Sequence, residues 1–176
     1  MVLKRWRESD AEAFDTAVTE SAEHLRPWVT WVAREPLSLD ERRVMLATRE
    51  REWLAGGDVA LAVIADGHVA GGCGLHRDGP GTLEIGYWVH PSFLRRRLAT
   101  TVSALLTGAA LSVTGINHVE IRHDKANVAS AGVPLRLGFE FVGEQPNEHP
   151  APSDSGIDCI WRMSRTGWQA QHSRPQ

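Results

Sequence analysis

The stretch from Leu83 to Thr100, LEIGYWVHPSFLRRRLAT, constrains this chain more than any other part of it. It reads as a buried strand that runs through His90-Pro91 into the start of a helix. The first amides of a helix have no intrahelical partners and sit at the positive end of its dipole, so this geometry builds an anion site. A cofactor phosphate is the expected occupant.

The rest of the pattern alternates strands and helices. Val2 to Trp6 reads as a first strand. Ser9-Asp10-Ala11-Glu12 reads as a capping box opening a helix toward Ser21, and Ser38-Leu39-Asp40-Glu41 as a second one. The second helix carries Val44, Leu46, Trp53 and Leu54 at roughly helical spacing. Val59 to Ile64, the Asp66-Gly67 turn and His68 to Leu75 predict a hairpin. Leu83 to Val89 is the next strand, and a helix over about Arg95 to Leu111 turns Leu98, Val102, Leu105 and Leu106 to one side. A strand at 118–122, a helix at 128–137 and strands at 139–143 and 157–163 complete the order β-α-α-β-β-β-α-β-α-β-β. The expected organisation is one domain over 1–165 and a polar tail over 166–176.

Composition excludes more than it assigns. A chain of 176 residues can bury a real core, and a net charge of -3 carries no nucleic-acid or membrane signature. No apolar run is long enough to span a bilayer, which predicts a cytoplasmic protein. Cys73 and Cys159 lie in apolar runs and are expected as buried free thiols. The eight histidines show no ligand spacing with Cys or carboxylates, so no metal is expected.

Two ordered motifs carry a family resemblance. Glu84-Ile85-Gly86-Tyr87, then Pro91, Phe93 and Leu94-Arg95-Arg96-Arg97-Leu98-Ala99, resembles the acyl-CoA signature of the GNAT acetyltransferases, in the branch that includes the ribosomal-protein N-terminal acetyltransferases. Asn127-Val128-Ala129-Ser130 followed by Leu135-Arg136-Leu137-Gly138-Phe139-Glu140 resembles a second segment of that branch. Leu94 departs from the usual Arg or Gln, and Arg97 from the usual Gly. The element order also resembles that fold, so the resemblance covers nearly the whole chain and implies a single α/β domain with a mixed, splayed sheet of seven strands flanked by helices.

The resemblance implies an N-acetyltransferase that uses acetyl-CoA, with a peptide N-terminus or a small molecule as amine acceptor, and a homodimer as a possible assembly. By the same carry-over the backbone of Trp88 and Val89 holds the pantetheine arm, with the Val89 amide near the thioester oxygen. Leu94, Arg95, Arg96, Arg97, Leu98, Ala99 and Thr100 hold the pyrophosphate through their amides. Asn127 is placed to cap its helix, and the family adds a contact to the cofactor arm. Ser130, in the first turn of that helix, is the implied general acid. Pro134 frees the Ser130 carbonyl, which is expected to face the cofactor or a water. Glu84, a carboxylate in an apolar strand, is the candidate base through a water. His76, Glu120 and His118 are alternatives, and His76 also borders the acceptor side. Trp28 and Trp31 are expected as an aromatic acceptor wall. Because Leu94 and Arg97 break the signature, an acyl-CoA-binding regulator without turnover stays open as the other function.

Overall fold

The computed structural model of the chain describes residues 1–172. Seven strands form one mixed sheet in the order β1-β2-β3-β4-β5-β7-β6. They are β1 (Val2–Arg5), β2 (Val59–Ala65), β3 (His68–Arg77), β4 (Thr82–Val89), β5 (His118–Asp124), β6 (Glu140–Pro146) and β7 (Ile157–Ser164). Five helices flank them: α1 (Ala11–Leu25), α2 (Leu39–Leu54), α3 (Leu98–Ser112), α4 (Val128–Arg136) and α5 (Arg165–His172). This is the GNAT-type order expected, with α5 added. Residues from 166 onward therefore enter a helix rather than a tail, and 173–176 lie outside the described residues. Trp168 of α5 explains the helix, because it packs against the larger core.

Alternation along the strands sends side chains to two unequal cores. One face buries Val63, Leu75, Ile85, Val119 and Ile121 against Val102 and Leu106 of α3. The other buries Ala62 against Trp6, just after β1, and against Phe14, Val18 and Leu46, the contribution of α1 and α2. Cys73 and Cys159 are buried and free.

Local chemistry sets most boundaries. At Ser38 the box forms: Ser38 Oγ accepts from the Glu41 amide at 3.3 Å and the Glu41 carboxylate accepts from the Ser38 amide at 2.8 Å. Asp66 and Gly67 both take positive φ, 52° and 79°, which the tight right-twisting hairpin turn requires. The box at Ser9 does not form. A short 3-10 turn over Glu8–Asp10 precedes α1, and the Asp10 carboxylate accepts from the Arg7 amide and from Lys4 Nζ instead. Two apolar stripes also differ from expectation. Val44 and Leu54 of α2 and Leu105 of α3 are exposed, while Leu46, Ser103 and Thr107 are buried. Helices resting on a twisted sheet bury small and hydroxylated residues where the backbones approach, so a leucine count misplaces the buried face.

Candidate active site

β4 and β5 are the one parallel pair among the described strands, and they stay paired for only three residues: Thr82 with His118, Leu83 with Val119 and Glu84 with Glu120. Beyond Glu84 the strands part. β4 keeps its β3 partner as far as Val89, so its other edge carries unpaired backbone groups past Trp88 and Val89. A cleft of about 400 Å³ occupies the parting, lined by Glu84, Tyr87, Arg122, Asn127, Ser130 and the 147–158 loop.

At the far end of that edge, His90 and Pro91 turn the chain. The Ser92 amide donates to His90 Nδ1 at 3.2 Å, so Nε2 carries the proton and donates to Glu20 of α1 at 3.0 Å. This pins the corner to a helix on the opposite layer. The amides from Arg95 to Thr100 then have no hydrogen-bond acceptor among the described residues, and the first helical bond runs from the Thr101 amide to the Arg97 carbonyl. Six free amides at a helix start fit a pyrophosphate. The Leu94 amide is different, since it closes a turn onto the Pro91 carbonyl at 3.3 Å and is not free for the cofactor. Arg96 also turns away, to Asp66 at 2.8 Å and over the Phe93 ring.

Arg95 and Arg97 both adopt left-handed backbone, φ 61° and 58°. A side chain there costs about 1–2 kcal/mol. The family's glycine at position 97 thus answers a backbone demand as well as one of access. Arg97→Gly is expected to melt higher, by about 1 kcal/mol of stability, and to bind CoA as tightly as the native protein or tighter. Arg97→Glu should bind it more weakly. Calorimetric titration checks both, and a large affinity loss in Arg97→Gly would show a side-chain phosphate clamp in place of backbone cradling.

On the opposite lip, Asn127 Oδ1 accepts from the Ser130 amide at 3.1 Å and caps α4. The Ser130 hydroxyl has no partner among the described residues and borders the cleft. Pro134, inside α4, leaves the Ser130 carbonyl without its helical donor. That carbonyl was expected to face the cofactor or a water; it accepts from the Tyr87 hydroxyl at 3.4 Å. Burial pushes the Tyr87 phenol up to about 12, so it stays protonated and serves as a donor.

Glu84 stands where the strands part. Burial raises its carboxyl above the usual range, aided by the charges of Asp78 and Glu120, while Arg122 at 3.6 Å works against this. Glu120, the alternative base, is committed. Although burial alone would raise it, hydrogen bonds from Arg122 at 2.8 Å and Arg162 at 2.6 Å hold it below the usual range. His118 is a half-buried strand start whose amide bonds the Gly81 carbonyl. His76 is different: its Nδ1 donates to Asp58 at 2.7 Å, which leaves Nε2 facing Gly86 of β4, where a Cβ would come within 3.3 Å.

His76 belongs to a second cavity of about 430 Å³ between the sheet and helices α1 and α2. Gly86 and Tyr87 border both spaces. Trp28 and Trp31, expected as one wall, are divided between them: Trp28 lines the cleft and Trp31 the second cavity. Trp28 precedes the 3-10 turn at Thr30–Arg34 that holds Trp31, and the extended Val29 between them breaks any common helix face. Trp31 instead joins an aromatic wall with Trp88, Phe14 and Trp6. Sequence alone missed Arg122, Asp58 and Arg49. Arg122 carries the one accessible signal, a cation two residues from Glu120 on the same strand face.

Residues 1–140 match the family model of the acetyltransferase (GNAT) domain. No curated protein matches the sequence. Solved structures share the fold at low identity. The chain resembles the ribosomal L7/L12 alpha-N-protein acetyltransferase RimL in complex with coenzyme A, at 18% identity and a TM-score of 0.85 over 94% of both chains. It resembles the microcin self-immunity acetyltransferase MccE in complex with acetyl-CoA and AMP, at 16% and 0.84 over 92% of this chain and 91% of that one. Mycobacterium smegmatis RimJ in complex with CoA-disulfide aligns at 18% and 0.78, over 98% of this chain and 88% of the other. The family match takes in both the parting strands and the amide-lined helix start, and the chain belongs to the GNAT acetyltransferase family.

Proposed function

We propose that this chain moves an acetyl group from acetyl-CoA to a primary amine by direct attack within a ternary complex. The observation that carries the proposal is the unpaired edge of β4, which runs from Glu84 to six free amides at the start of α3. Acetyl-CoA supplies the activated carbonyl. The amides of Arg95 to Thr100 hold its pyrophosphate, the edge at Trp88 and Val89 holds the pantetheine, and the Val89 amide polarises the thioester oxygen. The amine nitrogen bonds to the acetyl carbon and the carbon–sulfur bond breaks. Glu84 takes the amine's proton through a water, and Ser130 Oγ donates to the departing thiolate and is reprotonated from solvent. Asn127 keeps Ser130 at the lip by capping its helix.

A raised carboxyl is a stronger base, but it is ionised only above its pKa, so the rate should fall on the acidic side. Glu84→Gln is expected to slow the reaction most at neutral and mildly acidic pH. An unchanged profile would pass the role to His76, whose pairing with Asp58 favours it as the second candidate, and His76→Gln should then slow turnover instead.

Acetyl-CoA should raise the melting temperature, since a ligand that prefers the native state must do so. The absence of a shift at millimolar acetyl-CoA would overturn the proposal. A shift without thiol release on any amine would instead support an acyl-CoA-binding regulator.

A further inference from the structure

We infer that the second cavity takes a small apolar amine bearing a carboxylate, and that Arg49 binds that carboxylate. The inference rests on the acetyl-transfer proposal and names its acceptor class.

The volume, about 430 Å³, lies within the range of small-molecule sites. Its floor is glycine. A Cβ at Gly72 would lie 2.4 Å from Trp88 Nε1, and one at Gly86 would lie 3.3 Å from His76 Nε2, so the glycines let both rings lie flat on the sheet. Trp6, Phe14, Trp31 and Trp88 pack edge to face and give an apolar wall. Such walls select a compact apolar body.

Arg49 is the anomaly in this setting. It is the one Lys or Arg side chain lining the cavity, it is half-buried, and no hydrogen bond or ion pair reaches it among the described residues. The fold does not treat its other sunken guanidiniums this way. Arg42 is held by Glu35 and Asp15, and Arg122 by Glu84, Glu120 and Asp78. The acids near Arg49 do not supply a partner. Asp58 is committed to His76 and to the Arg77 amide, and Glu52 influences Arg49 only through space. Burial holds the Arg49 pKa below its usual value, and Arg42 on the same helix adds to this. A desolvated guanidinium without a partner is costly, and its planar fork matches a carboxylate in two parallel bonds.

The β3 and β4 part of the lining fits the amine. Gly86 and Tyr87 line it together with the cleft, and His76 with Asp58 stands beside them. A ligand with its acid on Arg49 can therefore extend its nitrogen toward the parting strands. A peptide N-terminus does not fit as well, because its own α-carboxyl is tied up in an amide.

Two matched pairs test this, each with and without the acid: L-phenylalanine against phenethylamine, and 4-(aminomethyl)benzoate against benzylamine. They bracket two amine-to-acid separations. CoA release should favour the acid in at least one pair. The ratio of kcat/KM within that pair should fall by on the order of a hundredfold in Arg49→Met, as expected when a bidentate charged contact is lost. Arg49→Lys, which keeps the charge but not the fork, should recover part of it. Equal turnover within both pairs, preference for a peptide amine, or an unaltered ratio in Arg49→Met would overturn the inference and leave acetyl transfer standing. No release with either pair, in a protein whose melting point acetyl-CoA raises, would overturn it too. A protein that acetyl-CoA does not stabilise removes the acetyl-transfer proposal itself.

Discussion

Arg42→Ala is expected to destabilise the protein by about 3–5 kcal/mol, enough to threaten folding at ordinary temperature. Arg42 is fully buried in α2. Its guanidinium donates to Glu35 at 2.9 and 2.6 Å and to Asp15 at 3.3 and 3.0 Å, and it lies over the Phe14 ring. Truncation would strand the Glu35 carboxylate, whose side chain is 5% exposed, without its cation. The pH dependence gives a second check. Burial alone would raise Glu35, but Arg42's hydrogen bonds and charge hold it below the usual range. A carboxyl lowered in the folded state stabilises above its unfolded value of about 4.5 and loses that stability as pH falls through the folded value. In Arg42→Ala only the Leu37 amide and the Arg34 charge still oppose burial, so acidification should cost the variant less than the native protein. Chemical denaturation at neutral pH and near pH 4 would show it, and a loss under 1 kcal/mol would mean that the network is not holding α1 to α2.

Ser130→Ala is expected to lower turnover about a hundredfold or more while acetyl-CoA binding stays close to native. The hydroxyl acts on the departing thiolate, which exists only as the carbon–sulfur bond breaks. The capping bond uses the Ser130 amide, not its side chain, so α4 keeps its start. Single-turnover rates with calorimetric CoA affinity separate the two effects. An unchanged rate would make Ser130 an ordinary first-turn residue and leave solvent to protonate the thiolate.

The contrast between residues read correctly and incorrectly has a physical basis. Ser38 with Glu41, and Asp66 with Gly67, act on their own backbone within a few residues, so their order in the chain suffices. Asn127 is of the same kind. Ser9 failed because Asp10 had a better offer from Lys4, six residues back. Val44, Leu54 and Leu105 failed because which side of a helix is covered depends on the sheet beneath it. The candidate site divides the same way. The loop from Arg95 to Thr100 is continuous in sequence, so the free amides of a helix start were legible there. Arg49, Asp58 and His76 come to line one cavity only through the packing of a helix on the sheet, and TREREWL around Arg49 has the charge density of a solvated surface. The left-handed turn at Arg97 was hidden for another reason: an arginine gives no hint of a backbone state that glycine would advertise.

The three-residue seam between β4 and β5 also bears on how the molecule carries load. On one side of it β1 to β4 form a continuous antiparallel plate, and on the other β5, β7 and β6 form a second. Each plate is stiff, because every internal strand is braced on both edges. Within the sheet the bracing between them consists of one short ladder, the Arg122 cluster across it and the Tyr87 contact to α4, while α3 packs on one face of both plates. The sheet is therefore built as two leaves on a narrow spine, clamped on one face by α3. Whatever lies along the exposed edge of β4 serves as a further rib on the open face, and its departure leaves the spine and the α3 clamp to hold the leaves.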